Sequence, residues 1–89
     1  MAVEFDSGKN IANVAKHGVD MAAAADFDFE TAVTWTDTRK SYGAMRAIAI
    51  GFIANRLHVL VFTMRGRKLR VISLRKANRK ESAAYHGKK

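Results

Sequence analysis

Residues Leu57–Lys76, LHVLVFTMRGRKLRVISLRK, form two apolar runs rich in β-branched residues, joined by a basic turn and closed by a basic dipeptide. This pattern predicts paired strands, Leu57–Met64 and Leu69–Arg75, connected through Arg65-Gly66-Arg67-Lys68. Both runs are apolar on alternate and intervening positions, so both faces of the hairpin need cover. Helices supply one cover, and a C-terminal helix or a partner protein supplies part of the other. The same stretch carries His58, Arg65, Arg67, Lys68, Arg70, Arg75 and Lys76. A hairpin with this many cations on its turn and strand ends must build a core and also face an anion.

The remaining chain reads as support for that surface. Ala2–Asp6 is an entry segment or short strand. Ser7 is the expected N-cap of a helix reaching Lys16, with Ile11, Val14 and Ala15 at i, i+3, i+4 spacing as its apolar face. Lys16 and His17 fall in its last turn, where the helix dipole favours cations, and Gly18 suits the C′ position. Asp20 is expected to cap a second helix, MAAAADFDF, on alanine propensity. From Thr31 the pattern changes: AVTWTDT reads as a strand ended by the polar DTRKSYG turn. Met45–Ile53 reads as the next strand, with Ile48, Ile50 and Phe52 on the side of Arg46. Ala54-Asn55-Arg56 is a tight turn, Asn55 suiting a left-handed position. Ala77–Tyr85 is the expected last helix, ending before Gly87. The expected fold class is α+β. Two N-terminal helices pack on a three- to four-stranded antiparallel sheet, with a C-terminal helix, in one domain over residues 1–89.

Charge narrows the function classes. The formal net charge is +8, and it segregates: residues 1–64 hold six Lys/Arg against seven acids, whereas residues 65–89 hold ten Lys/Arg against Glu81 alone. Such polarity points to a polyanion, nucleic acid first. No Cys is present, which excludes disulfides and thiolate chemistry. The N-terminal MAVEFDSGKN lacks the apolar core of a signal peptide, and no apolar run approaches the ~20 residues of a membrane helix. A cytoplasmic protein without a membrane partner is expected.

His17, His58 and His86 lack metal-ligand spacing, and Asp26, Asp28 and Glu30 alternate over one helix end, so neither metal nor cofactor is expected. Walker, dinucleotide and Ser/His/Asp patterns are absent. Catalysis would then rest on Arg, Lys, His and Tyr. That set suits RNA scission by the RNA's own 2′-hydroxyl, in which a protein orients the nucleophile, moves protons and stabilises the pentacoordinate phosphate. Arg suits the last task through its two-pronged donor geometry. His17, with its charged form favoured at a helix C-terminus, is the proton-transfer candidate; capping the last carbonyls is its competing role.

Phe5-Asp6, Lys9-Asn10, Asn13 and Lys16-His17-Gly18-Val19 together resemble the opening of the BrnT toxins of type II toxin–antitoxin systems. The resemblance continues through Asp37-Thr38-Arg39, Tyr42-Gly43, Arg46 and Gly51. It is strongest over Arg56–Thr63, Arg65-Gly66 and Leu69–Glu81, with Tyr85. Met64 and Ala44 stand where Glu is common in the family, so a carboxylate role at either place is absent here. The resemblance implies a RelE-like fold, a ribonuclease activity that inhibits translation, and a cognate BrnA-type antitoxin. It further implies a 2:2 assembly that binds operator DNA through the antitoxin.

Weighed by chemistry and position, Arg65 and Arg75 are the expected phosphate-stabilising residues and His17 the proton-transfer group. Lys16, Arg46, Lys76 and Arg79 are expected to bind substrate backbone, and Tyr85 to stack on a base or simply to pack. Arg70 is expected to pair with an N-terminal acid. The competing reading is a non-catalytic nucleic-acid-binding or interaction subunit with the same basic surface. Neither a basic recognition helix nor an aromatic RNP pattern supports the binding module. Because the charge is concentrated in residues 65–89, RNA affinity should fall steeply as salt rises. Filter binding at low and moderate salt checks this; an affinity that does not change would rule out a phosphate-tracking surface.

Overall fold

The expected hairpin is present as β4 (Arg56–Arg65) and β5 (Lys68–Lys76), and the other elements assemble around it. The structure, a computed structural model, describes residues 2–37 and 45–88. In chain order the remaining elements are β1 (Val3–Glu4), α1 (Ser7–His17), a 3₁₀ helix (Met21–Asp26), β2 (Val33–Asp37), β3 (Arg46–Ile53) and α2 (Arg79–Lys88). The turn expected after Asp37 lies outside the described residues.

The sheet has five strands in the order β1-β5-β4-β3-β2. It is mixed, because β1 runs parallel to β5 with Val3 opposite Leu69 and Glu4 opposite Arg70. The expectation of three to four antiparallel strands is therefore corrected. A two-residue strand has no period of its own, and its partner lies at the far end of the sequence. Between β4 and β5 the register shifts at Val61/Phe62, leaving Ile72 as the extra residue of a bulge.

The hairpin's two apolar faces each receive a cover. On one, Leu60, Phe62, Leu69, Val71 and Leu74 pack with Val19, Met21, Ala24 and Phe27. On the other, Ile48, Ile50, Leu57 and Val59 pack with Ala77 and Tyr85 of the C-terminal segment.

The second N-terminal helix is shorter than expected. It is a single 3₁₀ segment, capped by Asp20 Oδ1 accepting from Ala22 N at 2.8 Å, and Phe27 leaves it in an extended conformation. Phe27 leaves the helix to set the end of its ring against Gly51; a Cβ at that glycine would come within 2.7 Å of the ring. Phe29 then stacks between Phe27 and Phe62, with centroids at 4.7 and 5.6 Å.

Three local expectations move by a residue or two. Asp6, rather than Ser7, caps α1 by accepting from Lys9 N at 2.8 Å. Its carboxylate also complements the positive end of the helix dipole. Helix α2 begins at Arg79 and continues through Gly87. Its start is a reciprocal capping box: Asn78 Oδ1 accepts from Glu81 N at 2.8 Å, and Glu81 Oε1 accepts from Asn78 N at 2.9 Å. In the Ala54-Asn55 turn the positive φ, 54°, falls on Ala54 rather than Asn55.

The orientation of α1 differs most from its pattern. Ile11 and Val14, the expected core stripe, are 73% and 43% exposed, and the polar side faces the fold. Asn13 is buried there. Its Nδ2 donates to Leu74 O and Val19 O, both at 2.8 Å, while its Oδ1 accepts from Leu74 N at 3.3 Å. Strand β1 ends after pairing with Arg70, so the edge of β5 at Leu74 has no strand beside it. The Asn13 amide takes the place of a strand backbone there. One turn earlier, Asn10 Oδ1 accepts from Met21 N at 2.8 Å, which ties α1 to the 3₁₀ helix.

Asn13→Ala should lower stability by about 1–3 kcal/mol or more, because it strands buried backbone groups at Leu74 and Val19. Ile11→Ala, at an exposed position, should fall within about 0.5 kcal/mol of the parent. Urea unfolding of the two variants checks the orientation of α1, and equal losses would contradict it.

Candidate active site

The end of α1, the end of β5 and the start of α2 meet at one corner of the molecule. Asn13 fixes this arrangement, since it holds α1 against Leu74, the residue before Arg75. Lys16 and His17 close α1, Arg75 and Lys76 close β5, and Arg79 opens α2. Of the eight expected site residues, the structure brings Lys16 and Arg75 to His17, whereas Lys76 alternates to the opposite face of the sheet from Arg75.

His17 is half-buried. Its pKa lies below the ordinary value of 6.5, first because burial disfavours the charged ring, then because the charges of Lys16 and Arg75 oppose it. The expectation that the helix end favours the imidazolium is not met: lost hydration and the charges of Lys16 and Arg75 disfavour the charged ring. The neutral imidazole, able to accept a proton, is the form favoured at neutral pH.

Arg75 is held by Glu81 in a two-pronged ion pair, Nη1 to Oε1 at 2.8 Å and Nη2 to Oε2 at 2.7 Å. That hydrogen bonding raises the guanidinium's pKa above its ordinary value, against the opposing effect of burial. The Glu81 carboxyl sits below its ordinary 4.5, chiefly through the Arg75 hydrogen bond and despite burial, with Asn78 N–H and the Arg75 charge assisting. Glu81 was not among the expected site residues. The signal for it was the Asn78-x-x-Glu81 spacing of a capping box.

Arg65 and Arg46 belong to the other end of the sheet. Arg65 lies opposite Lys68 on β5, seven residues before Arg75. At about 3.3 Å per residue the two arginines are roughly 20 Å apart and cannot share one phosphate. Arg65 instead donates to Glu4 Oε2 at 3.4 Å, the carboxylate that also accepts from Arg70 at 3.0 Å. The expected pairing of Arg70 with an N-terminal acid is therefore present. Arg46 lies opposite Asp37 on the neighbouring strand. Arg65, Arg70 and Glu4 thus make a second polar group, at the β1 edge of the sheet.

Tyr85 does not offer its ring to solvent. It is 4% exposed, packs edge-on to Phe52 with centroids at 5.7 Å, and donates to Thr31 O at 2.8 Å. Its expected contact with a base is replaced by anchoring α2. His58 is buried, with Nδ1 2.8 Å from Arg56 O, which gives it a structural place in β4. Between α2 and the sheet runs a groove of about 330 Å³. Ile48, Ile50, Val59 and Val61 form its floor, and Trp35, Ala84, Lys80 and the Arg75–Glu81 pair form its sides. Among the described residues, no three His, Asp or Glu side chains are grouped to hold a metal ion.

Comparison with protein families finds one match: the family described as ribonuclease toxin, BrnT, of type II toxin–antitoxin system, over residues 5–81. No curated protein matches the chain.

The lowered pKa of His17 gives a directional pH dependence. The unfolded chain binds the His17 proton more readily, so this residue's contribution favours folding above pH 6.5 and is lost as pH falls through 6.5 toward the folded value. An NMR titration of the ring should show a midpoint below 6.5, and Arg75→Gln should raise it. An unchanged midpoint in that variant would mean that Arg75 does not act on the ring.

Proposed function

The chain belongs to the BrnT family of ribonuclease toxins of type II toxin–antitoxin systems. From that premise we propose that it is a metal-independent endoribonuclease whose catalytic centre is the corner of His17 and Arg75. The observation that carries this reading is the proximity of a half-buried, neutral-favouring imidazole to the Arg75 guanidinium and the Lys16 ammonium.

In this reading neutral His17 takes the proton from a ribose 2′-hydroxyl. The 2′-oxygen attacks the adjacent phosphorus, the P–O5′ bond breaks, and O5′ takes a proton from water, which the His17 imidazolium then restores. The products are a 2′,3′-cyclic phosphate and a 5′-hydroxyl. Arg75 stabilises the charge on the pentacoordinate phosphate with paired donors, which requires it to exchange Glu81 oxygens for phosphate oxygens. Lys16, Lys76 and Arg79 hold the flanking backbone. Arg65 and Arg46, at the far end of the sheet, contact RNA away from the scissile bond.

The proposal extends to regulation. A BrnA-type antitoxin, in a 2:2 assembly that binds operator DNA through the antitoxin, would neutralise the toxin in the cytoplasm. The outward Ile11 and Val14 of α1 are exposed apolar side chains of the kind such a partner covers. No helix among the described residues is long and apolar enough to cross a membrane.

Arg75→Ala should slow cleavage by about 10²–10³, the cost of one lost transition-state donor, while RNA binding falls much less. Arg75→Lys should restore binding more than rate, because the charge returns without the planar fork. The measurement is cleavage of a short RNA in EDTA, with binding of the uncleaved RNA and thermal unfolding in parallel. Glu81→Gln is the companion variant: it loses the ion pair but keeps a side chain able to cap α2. If Arg75 served only to anchor α2, both variants would lose activity and stability together. Equal losses of binding and rate in a folded Arg75→Ala protein would make it a plain phosphate contact, and loss of cleavage on chelation would overturn the metal-free chemistry.

A further inference from the structure

We infer that the groove between α2 and the sheet is a nucleobase subsite of the RNA site, with the indole of Trp35 as its stacking platform. The inference rests on the reading of the protein as an RNA-cleaving enzyme and adds to it a residue that no charge argument singles out.

Trp35 lies on the edge strand β2, opposite Ile48 and on the same face of the sheet. It is 44% exposed, although it lines the groove and stands beside Ala84 of α2. The groove exists because α2 is held off the sheet at two points, the buried Tyr85 and the Arg75–Glu81 pair. Between them the small Ala84 leaves space above an aliphatic floor. The cavity of about 330 Å³ is at the small end of the ~300–1,000 Å³ typical of small-molecule sites. That size suits one planar base rather than a partner helix.

The sides of the groove set the charge of its occupant. Arg75 and Glu81 offset one another and Lys80 leaves the rim net positive, so a phosphate flanking the base meets Lys80 directly and Arg75 by exchange with Glu81. An aromatic platform with adjoining cations is the general means of holding single-stranded nucleic acid. A base stacked on Trp35 would bring its phosphate toward Arg75, within reach of His17, and so set which linkage is presented for cleavage.

Trp35 is the single tryptophan of the chain, so its emission reports on this groove alone. The probe is a short 2′-O-methyl oligoribonucleotide, which binds but lacks the nucleophile. Saturating oligonucleotide should quench the emission, and the same backbone with abasic sites should not. Trp35→Ala should weaken binding by roughly 5- to 150-fold, the loss of one stacked base, whereas Trp35→Phe should retain most of the affinity. Circular dichroism confirms that both variants fold. Binding to the wild type without any emission change, or with equal affinity for Trp35→Ala, overturns the subsite and leaves the ribonuclease reading standing. Absence of any RNA binding or cleavage by the wild type overturns both. A folded Trp35→Ala protein that keeps its RNA affinity but no longer binds the antitoxin would make the groove a protein-docking site, and overturns the inference.

Discussion

The side-chain amide of Asn13 supports more of this structure than any apolar contact of α1. Strand β1 covers the edge of β5 only as far as Arg70, and the backbone at Leu74 would otherwise be buried without partners. A carboxamide offers one acceptor and two donors, which is what a strand edge followed by a returning loop requires. By bonding Leu74 and Val19 together, Asn13 fixes the end of α1 beside the end of β5. The approach of His17 to Arg75 follows from that bond pattern. The cost is that α1 turns its polar side inward and leaves Ile11 and Val14 to solvent.

Helix α2 shows the opposite compromise. It has no continuous apolar stripe; Tyr85 and one ion pair fasten it, and its short side chains leave a groove over the sheet. A fully packed helix would have added stability and closed the space beside Arg75. The attachment of α2 also depends on a residue that the catalytic reading requires to move, so substrate binding and helix anchoring compete for the same guanidinium.

Net charge overstates how many cations are ready for an anion. Glu4 engages Arg65 and Arg70, and Glu81 engages Arg75. Glu4 sits between two arginines that would otherwise repel one another, and Glu81 takes both prongs of a single one. A phosphate approaching either end must displace a carboxylate, which makes recognition depend on exchange between ion pairs rather than on unpaired charge. Such exchange favours ligands with several phosphates, because one phosphate gains little over the carboxylate it replaces.

Features governed by neighbours in sequence were legible in the residues alone. The basic hairpin, the Asp20 cap, the left-handed Gly18 and the strand through Ile48 and Ile50 follow from period and turn chemistry, which act over a few residues. The segregation of charge and the resemblance to a ribonuclease toxin family were also legible, because both are properties of order along the chain. Tertiary structure decided what depends on register between distant segments. It paired Val3–Glu4 with Leu69–Arg70, turned α1 so that Asn13 rather than Ile11 faces the sheet, and stopped the alanine-rich helix where Phe27 meets Gly51. It also separated Arg65 from Arg75 along the length of β5 and brought His17 to Arg75 across a long stretch of intervening sequence. A sequence states that a residue is cationic or apolar; which groups stand within reach of one another is set by how strands align and which helix face is turned inward, and those are decided by hydrogen bonds and contacts between residues far apart in sequence.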